Sequence, residues 1–432
     1  MSPAEIEIPL AERPLAAAVR VPGSKSITNR ALLLAAMAGG VSVITSFLLS
    51  DDTRSMIGAL SSLGFDLDVN ETGQTITVRG CSGLIPASSA NLDIGGAGTA
   101  MRFLAGLLTL GHGRFRIDGN SRMRQRPIGP LLDALSQLGI EARAENNDRC
   151  PPIIINHAAK ASMGGALTID ASLSSQFASA LLIPAPLWAR GLELTINGEA
   201  GQAFVQMTLS LMRRWGAETF RENSRIIVPG GQRYNPTQFE VEPDATAASY
   251  FAAAAALVGG KVTLAGVNAA SVQGDLGFLR ILEQMGARVE WKNDSVDVVG
   301  SGRLSGVDVA MNMMPDVVPT LAAIAPFACS PTRIRKVGFI RHHESDRIHA
   351  LATELTRLGA SVTVFDDGLE IMPSTLHPAA VHTYDDHRIA MAFAVAGLKL
   401  GGVKIRSPGC VAKTYPRFFN DLIKLTSMPS RK

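Results

Sequence analysis

Two segments of this 432-residue chain combine basic side chains with a predicted helix start. In PGSKSITNR, residues 22–30, Ser24 or Ser26 can cap the helix while Lys25 and Arg30 face an anion. In DIGGAGTAMRF, residues 93–103, a glycine run opens another helix. Because helix N-termini attract negative charge, both segments predict anion binding. A solvated loop is the alternative interpretation of GSKS, and neither segment has the spacing of a P-loop or a GxGxxG dinucleotide site.

Other predicted helix starts carry polar groups suited to the same kind of ligand. SLSSQF offers the hydroxyls of Ser174 and Ser175 and the amide of Gln176, although serine also caps helices that bind nothing. Three later helices are expected to begin near Asp244, Asp316 and the tetrad Asp385-Asp386-His387-Arg388. Four predicted loops that each precede a further helix also carry charged residues: SDDTR at 50–54, NSRMRQRP at 120–127, HHESDR at 342–347 and AKTYP at 412–416.

The three arginines of RMRQR alternate along the chain, so one or two of Arg122, Arg124 and Arg126 are expected to face solvent. Taken together, the motifs supply Lys, Arg and His with a few carboxylates and without a cluster of metal-ligand spacing. This combination predicts a site for highly charged phosphate and carboxylate substrates that works by electrostatics and proton transfer.

The elements that must position these residues repeat along the chain. An amphipathic helix, a glycine and a β-branched strand recur with glycines at 64, 139, 216, 286 and 359, which are 75, 77, 70 and 73 residues apart by subtraction. A second phrase, an apolar Ala/Leu-rich helix that runs into a strand, occurs six times between them. Each repeat therefore predicts a strand, a buried helix, a strand, an amphipathic helix and further strand, with three repeats in each of two domains.

Composition limits the class of protein. The length favours two domains of roughly 200 residues, and 46% hydrophobic with 18% charged residues is typical of a packed enzyme. The net charge of +3, from 41 basic and 38 acidic residues, is too balanced for a nucleic-acid binder. Four scattered cysteines indicate neither disulfides nor zinc and fit a reducing compartment.

The N-terminal residues and the apolar stretches indicate a cytoplasmic protein. Residues 1–20 carry Glu5, Glu7 and Glu12 and do not read as a secretory signal. The most apolar stretch, residues 31–49, is interrupted by Gly39-Gly40 and then alternates as a strand does, so a membrane span is not expected.

Eight motifs in order over residues 21–419 resemble the 5-enolpyruvylshikimate-3-phosphate synthase family: PGSKSITNRALLLAA, GGAGTAMR, RMRQRPIGPLLDAL, SSQFASALL, EPDATAASYF, HESDRI, YDDHRIAMAFAVAGL and AKTYPRFF. The resemblance implies a two-domain inside-out α/β barrel, the enolpyruvyl transferase fold, with six βαβαββ units, three per domain. One domain is expected over residues 22–242 and the other over residues 1–21 with 243–432. The active site is expected in the cleft between them, which closes on substrate.

The activity implied by the resemblance is transfer of the carboxyvinyl (enolpyruvyl) group of phosphoenolpyruvate to the 5-hydroxyl of shikimate 3-phosphate. The products are the enolpyruvyl ether and phosphate, a step of chorismate and aromatic amino acid biosynthesis. No cofactor, metal, nucleic acid or membrane partner is expected, and we expect a monomer that is a target of glyphosate. A reactive loop cysteine of the related UDP-N-acetylglucosamine enolpyruvyl transferases has no counterpart in NSRMRQRPIG, which favours the shikimate branch.

Site residues follow by motif matching, residue by residue. The resemblance assigns phosphoenolpyruvate to Lys25, Gly98, Arg126, Gln176, Arg347, Arg388 and Lys413. It assigns shikimate 3-phosphate to Lys25, Ser26, Arg30, Ser174, Ser175, Gln176, Asp316 and His343. Asp316 is the expected base toward the acceptor hydroxyl. Lys25, Glu344 and Lys413 are the candidates for the remaining proton transfers, and the sequence leaves their order open.

Five positions depart from the family pattern. Gly96 stands where Asn is common, and it lies beside Gly98 in the segment assigned to phosphoenolpyruvate. Gly201, Phe204, Phe339 and His343 replace hydrogen-bonding residues, all on the side of the acceptor. These changes leave two alternatives to the main interpretation: an enolpyruvyl transferase that uses another hydroxylated anionic acceptor, and a relative that binds without catalysis.

Overall fold

The computed structural model describes residues 3–158 and 163–427. Residues 1–2 and 428–432 of the second predicted domain, and residues 159–162 of the first, lie outside the described residues. The chain divides into two compact units, one formed by Met1–Pro22 with Glu242–Lys432 and the other by Gly23–Val241. Within the described ranges, none of the helices combines the length and the apolar character needed to cross a membrane.

The unit Gly23–Val241 contains three repeats of the same elements. Strands β1 (Glu5–Ile8) and β2 (Leu15–Val19) precede it in the chain. Its first repeat is α1 (Lys25–Met37), β3 (Gly39–Thr45), α2 (Asp51–Ser62), β4 (Asp66–Asn70) and β5 (Thr75–Cys81). The second is β6 (Ser89–Asp93), α3 (Gly98–Leu107), β7 (His112–Asp118), α4 (Gly129–Gln137), β8 (Glu141–Ala144) and β9 (Ile153–Ala158). The third is β10 (Gly165–Asp170), α5 (Gln176–Leu182), β11 (Leu192–Asn197), α6 (Gln202–Arg214), β12 (Phe220–Glu222) and β13 (Arg225–Val228), after which comes β14 (Gln238–Glu240).

The other unit continues the pattern. Its first repeat is α7 (Ala245–Val258), β15 (Gly260–Ala265), α8 (Gly277–Gln284), β16 (Arg288–Trp291) and β17 (Ser295–Gly300). The next is β18 (Asp308–Ala310), α9 (Val318–Ile324), β19 (Thr332–Arg335), α10 (Arg347–Arg357), β20 (Val362–Phe365) and β21 (Gly368–Ile371). The last is β22 (Ala380–Val381), α11 (His387–Leu400), β23 (Val403–Arg406) and α12 (Phe418–Ser427).

Each complete repeat folds into a four-stranded sheet with one strand order. In the second repeat the order is β6-β7-β9-β8, with β6 and β7 parallel and the other pairs antiparallel. In the sheets β14-β3-β5-β4 and β16-β17-β15-β2, the strands β14 and β2 take the place that β6 has in the second repeat. Each of them lies just before the chain crosses from one unit to the other. The last repeat has no hairpin of its own, and β1 pairs antiparallel with β23 in its place, with Glu5 opposite Arg406.

The first helix of each repeat lies inside the unit. Every residue of α3 is buried, as is every residue of α7 from Ala245 to Leu257. The second helix of each repeat is amphipathic; in α8, for example, only Phe278, Leu279, Ile281 and Leu282 are buried. The buried helices pack on one another, α3 on α5 and α11 on both α7 and α9. Helices inside and strands outside confirm the inside-out α/β fold predicted from the sequence.

The five recurring glycines end the amphipathic helices, as their spacing predicted. Gly64, Gly139, Gly216, Gly286 and Gly359 all have a positive φ, between 78° and 105°. The residue after the first of them closes a Schellman turn, because the Phe65 N–H donates to the Leu60 carbonyl oxygen over 3.1 Å. A side chain in this left-handed conformation is strained, so glycine is the residue that lets each helix turn back into a strand.

Close packing of the buried helices leads to a prediction on stability. A Cβ at Gly106 of α3 would collide with the backbone carbonyl of Ala180 in α5, whereas a Cβ at the exposed Gly58 of α2 meets no atom within 4 Å. Gly106→Ala should therefore lower the free energy of unfolding by about 1–3 kcal/mol. The control Gly58→Ala should raise it by about 0.5–1 kcal/mol. Thermal unfolding of both variants measures the contrast, and equal effects would contradict this packing of α3 on α5.

Candidate active site

Lys25 is the first residue of α1 and one of two partners in a buried ion pair. Its Nζ lies 3.0 Å from Oδ2 of Asp52, and the two side chains are 9% and 3% exposed. Asp52 is the second residue of α2, so its charge also benefits from that helix N-terminus. Ser24 occupies the N-cap position of α1 but makes no side-chain capping bond. The expected lysine is therefore at the helix start, held by a carboxylate that the motif analysis did not assign.

Arg30 lies one turn further into α1 and is buried among neutral oxygens. Its guanidinium donates to the Thr208 hydroxyl (2.8 Å), the Ser26 carbonyl (2.9 Å), the Phe204 carbonyl (3.2 Å) and the Ser179 hydroxyl (3.5 Å). Burial lowers the pKa of Arg30 to about 9, which still leaves it protonated at neutral pH. Residues 3–158 and 163–427 give it no carboxylate partner, so a positive charge stays available to stabilise a nearby anion.

A second arginine, Arg126, lies against the start of α3. Gly98 is the first residue of α3, and a Cβ at this position would lie 2.5 Å from Nη1 of Arg126. The loop of Arg126 is fixed by Arg102, which donates to the carbonyls of Gly98 (3.3 Å) and Pro127 (3.0 Å). Glycine at position 98 thus lets a guanidinium lie directly against a helix start, where both favour an anion.

The other two arginines of RMRQR behave differently from Arg126, which is 7% exposed. The side chain of Arg124 is 53% exposed and bonds to Asp118 over 2.8 Å. Arg122 is partly exposed and donates to Gln125 over 3.4 Å. The expectation that one or two of the three face solvent is confirmed.

Ser174, Ser175 and Gln176 stand at the start of α5. The Gln176 N–H donates to the Ser174 hydroxyl over 3.2 Å, and Ser175 is buried. Oε1 of Gln176 is buried and accepts no hydrogen bond from the described residues. Gly201, the N-cap of α6, has a φ of 60°, and a Cβ there would lie 2.8 Å from the Ser175 hydroxyl. The departure at Gly201 therefore opens space beside Ser175.

A cluster of charged and polar side chains surrounds Arg347 in the unit formed by Met1–Pro22 with Glu242–Lys432. It is named here the Asp316 cluster and consists of Asp316, His343, Glu344, Arg347, Asp386 and Arg388. Arg347 is completely buried, and its Nε donates to Oδ2 of Asp386 over 2.9 Å. Nη2 donates to Glu344 over 2.8 Å, and Nη1 donates to Asp316 over 3.1 Å. Burial disfavours the charge, but the carboxylates of Asp386, Glu344 and Asp316 raise the pKa of Arg347 above its ordinary value.

Asp316 connects the two arginines of this cluster. Its Oδ1 accepts from Arg347 and its Oδ2 accepts from Nη2 of Arg388 over 2.7 Å. Burial would raise the pKa of Asp316, but the positive charges of Arg388 and Arg347 hold it below its ordinary value. The carboxylate is therefore ionised at neutral pH, as a general base must be, and is engaged by the groups expected to bind phosphoenolpyruvate.

His343 and Phe339, two of the positions that depart from the family pattern, contact each other. Their rings meet edge to face with centroids 5.8 Å apart. Nδ1 of His343 lies 3.1 Å from Nη1 of Arg347, so the ring nitrogen accepts from the guanidinium. Lys413 ends the 3-10 helix Pro408–Lys413 and is partly buried. The structure brings His343 together with Asp316, Glu344, Arg347 and Arg388.

Asp275 is a buried carboxyl that the motif analysis missed. It lies in the 3-10 turn Gly274–Leu276, which packs on the turn Pro315–Val317 that carries Asp316. Its Oδ2 accepts from the Thr246 hydroxyl, and its Oδ1 has no hydrogen-bond partner among the described residues. Burial and then the charge of Asp316 raise the pKa of Asp275 to about 7, against the opposing effects of Thr246 and Arg388.

The carboxylates that hold the site, and the buried Asp275, are hard to recognise from a single sequence. Asp52 and Asp275 stand in SDDTR and SVQGD, one or two residues from a helix start, where an acidic residue is usually a cap. Asp386 belongs to the noted tetrad, yet its bond to Arg347 spans 39 residues of sequence. Within the described residues, no three His, Cys, Asp or Glu side chains are grouped as a metal ion requires.

The arrangement suits anionic substrates and proton transfer. The unit Gly23–Val241 offers Lys25, Arg30 and Arg126 at or near helix starts. The other unit offers two arginines surrounded by carboxylates that can exchange hydrogen bonds or protons with a ligand.

Comparisons with known proteins agree with this chemistry. The family model described as EPSP synthase (3-phosphoshikimate 1-carboxyvinyltransferase) matches residues 10–422. A 3-phosphoshikimate 1-carboxyvinyltransferase of Trichormus variabilis is 44% identical over 422 residues, 97% of this chain and 99% of that protein. The chloroplastic enzyme of Solanum lycopersicum with the same name is 44% identical over 428 residues, 94% of this chain and 82% of that protein.

Solved structures show the same similarity at the level of the fold. An EPSP synthase structure from Acinetobacter baumannii superposes with a TM-score of 0.79 at 26% identity and covers 97% of each chain. A second structure of that enzyme gives a TM-score of 0.76, also at 26% identity, over 95% of this chain and 96% of that chain.

The elevated pKa of Asp275 predicts a pH-dependent contribution to stability. A carboxyl whose pKa is raised by folding stabilises the folded state below its unfolded pKa of about 4 and loses this contribution as the pH rises through about 7. The thermal midpoint of the wild type minus that of Asp275→Asn should therefore fall between pH 5 and pH 8 by about 2 °C or more. The same difference for Asp68→Asn, an exposed carboxyl on β4, should stay constant. A difference that rises with pH would contradict the assignment.

Proposed function

Because the chain belongs to the EPSP synthase family, we propose that it transfers the carboxyvinyl group of phosphoenolpyruvate to the 5-hydroxyl of shikimate 3-phosphate, with release of phosphate. The observation that carries this function is the family match over residues 10–422, together with relatives of that name at 44% identity. The reaction belongs to aromatic amino acid biosynthesis. Another hydroxylated anion as the acceptor, the alternative left by the sequence, is not what the names of the relatives indicate.

Both substrates carry a phosphate and a carboxylate, and the proposed ligands are matched to those charges. Phosphoenolpyruvate is assigned to Lys25, Gly98, Arg126, Gln176, Arg347, Arg388 and Lys413. Shikimate 3-phosphate is assigned to Lys25, Ser26, Arg30, Ser174, Ser175, Gln176, Asp316 and His343. Guanidinium groups bind carboxylate and phosphate through paired charge-assisted hydrogen bonds, which supports the roles of the arginines. The proposal thus assigns one pair of substrates to side chains of both units.

The reaction proceeds by addition and elimination. The acceptor oxygen forms a bond to C2 of phosphoenolpyruvate while C3 gains a proton. The C2–O bond to phosphate then breaks and C3 loses a proton, which restores the double bond in the product. Asp316 is the proposed base for the acceptor hydroxyl, and Lys25, Glu344 and Lys413 are the proposed carriers of the other protons.

We also propose that the protein acts in the cytoplasm as a monomer on these small molecules. All four cysteines, including the exposed Cys329, are free thiols, as a reducing compartment requires.

Purified protein with phosphoenolpyruvate and shikimate 3-phosphate should release inorganic phosphate, which a coupled colorimetric assay measures. Omission of the acceptor is the control and should abolish release, because phosphate leaves only from the addition intermediate. If phosphoenolpyruvate binds but shikimate 3-phosphate supports no release, the acceptor is another hydroxylated anion and the proposed function is wrong.

Arg126 and Arg124 provide a matched pair for the anion site. Arg126→Ala should raise the Michaelis constant for phosphoenolpyruvate about tenfold or more, the effect of losing about 1.5–3 kcal/mol of charge-assisted hydrogen bonding. Arg124→Ala removes an exposed guanidinium of the same loop and should change that constant by less than about twofold. Initial rates at varied phosphoenolpyruvate measure both variants. Equal effects of the two substitutions would exclude a specific role of Arg126.

A further inference from the structure

The segment before α11 contains two adjacent side chains in an unusual backbone conformation. Tyr384 and Asp385 have φ of 55° and 54°, in the left-handed region that favours glycine. The turn closes when the Asp386 N–H donates to the Thr383 carbonyl over 2.8 Å. Such a conformation persists only when surrounding contacts enforce it. The contacts that hold this turn bear on the candidate site, because Asp386 and Arg388 follow it directly.

Glu354 of α10 supplies the contacts that hold the turn. Its side chain is 0% exposed. Oε1 accepts from the Tyr384 hydroxyl over 2.7 Å, and Oε2 accepts from the His382 N–H over 3.1 Å and from Arg357 over 2.9 Å. Burial and then the Glu354 carboxylate raise the pKa of Tyr384 to about 12, so its hydroxyl remains a donor.

Helix α10 presents Glu354 and Arg347 to the same segment. Seven residues separate them, which is close to two full turns, so both side chains lie on one face about 10.5 Å apart along the axis. Arg347 holds Asp386 at one end of the segment, and Glu354 holds Tyr384 and His382 at the other. Asp386 in turn accepts from the Arg388 N–H over 2.9 Å and from the Ser345 hydroxyl over 3.0 Å.

We propose that Glu354 is a positioning residue for the phosphoenolpyruvate site, acting through Tyr384 and the left-handed turn to set Asp386, Arg347 and Arg388. Without the bond from Tyr384, the turn relaxes toward ordinary backbone angles, and the N-cap of α11 moves with it. The two arginines then no longer present their guanidinium groups together. This inference rests on the proposed function, because it concerns the substrate assigned to those arginines.

The test compares Tyr384→Phe, Glu354→Gln and Glu354→Ala with a matched control, Tyr415→Phe. The control removes another partly buried hydroxyl-to-carboxylate bond, from Tyr415 to Asp421 over 3.0 Å, outside the turn. Michaelis constants for both substrates, kcat and the thermal midpoint are measured for each protein. Tyr384→Phe and Glu354→Ala should raise the constant for phosphoenolpyruvate about tenfold and that for shikimate 3-phosphate less than about twofold. Glu354→Gln, which retains an acceptor for Tyr384, should recover most of the loss.

Further comparisons separate positioning from a general loss of stability. The double variant Tyr384→Phe, Glu354→Gln should raise the constant for phosphoenolpyruvate about as much as Tyr384→Phe alone, because Gln still accepts from the His382 N–H and both changes act on the bond between Tyr384 and Glu354. Tyr415→Phe should lower the thermal midpoint without changing the ratio of the two Michaelis constants. The inference is wrong if Tyr384→Phe and Glu354→Ala leave that ratio at the wild-type value, or if Tyr415→Phe shifts it equally.

The wild-type assay keeps the two proposals distinct. Absence of turnover by the wild type would contradict the proposed function, whatever the variants do. In that case calorimetric titration with phosphoenolpyruvate alone still decides the positioning role. A dissociation constant about ten times higher for Glu354→Ala would support the positioning role, and an unchanged constant would overturn it.

Discussion

The buried ion pair between Arg347 and Asp386 is the interaction on which the Asp316 cluster depends. Both side chains are 0% exposed, and Nε and Oδ2 lie 2.9 Å apart. Loss of one partner of such a pair leaves a buried charge uncompensated, at a cost of about 3–5 kcal/mol. Because Arg347 is the first residue of α10 and Asp386 caps α11, the pair also fixes the starts of two helices relative to each other. The contacts of Asp316, Glu344 and Arg388 are all made from that fixed arrangement.

The repeated architecture could be predicted from the sequence because its signals are local. A glycine with positive φ ends each of the amphipathic helices from α2 to α10, and the apolar Ala/Leu helices are long enough to be recognised as buried. The sequence showed six buried helices but only five glycine breaks, and the structure explains the difference. The last repeat has no hairpin after β23, and β1 from the start of the chain supplies the missing strand. Because β1 and β23 are about 400 residues apart in the sequence, their pairing leaves no local pattern.

The partners of the candidate site residues were harder to predict for the same reason. Lys25 and Arg347 are recognisable from residue type and place in a motif, whereas the carboxylates of Asp52 and Asp386 that hold them come from other elements. Glu354 illustrates the limit: its i, i+3 neighbour Arg357 suggests a surface ion pair, yet the side chain is buried against a turn 30 residues away. The identity of a charged side chain can be read from sequence, but its burial and its long-range partner depend on tertiary packing.

If phosphoenolpyruvate binds Arg347 and Arg388, as proposed, it must compete with Asp316 for these two arginines. The carboxylate of Asp316 already accepts from Arg347 and Arg388, at 3.1 and 2.7 Å. A substrate carboxylate offers the same paired geometry, so its binding at the proposed site would transfer these hydrogen bonds away from Asp316. Burial would then act on Asp316 without the two positive charges that hold its pKa down, and the carboxylate would become a stronger base. Under the proposed function, substrate binding would therefore activate the proposed base at the step where the acceptor hydroxyl must lose its proton.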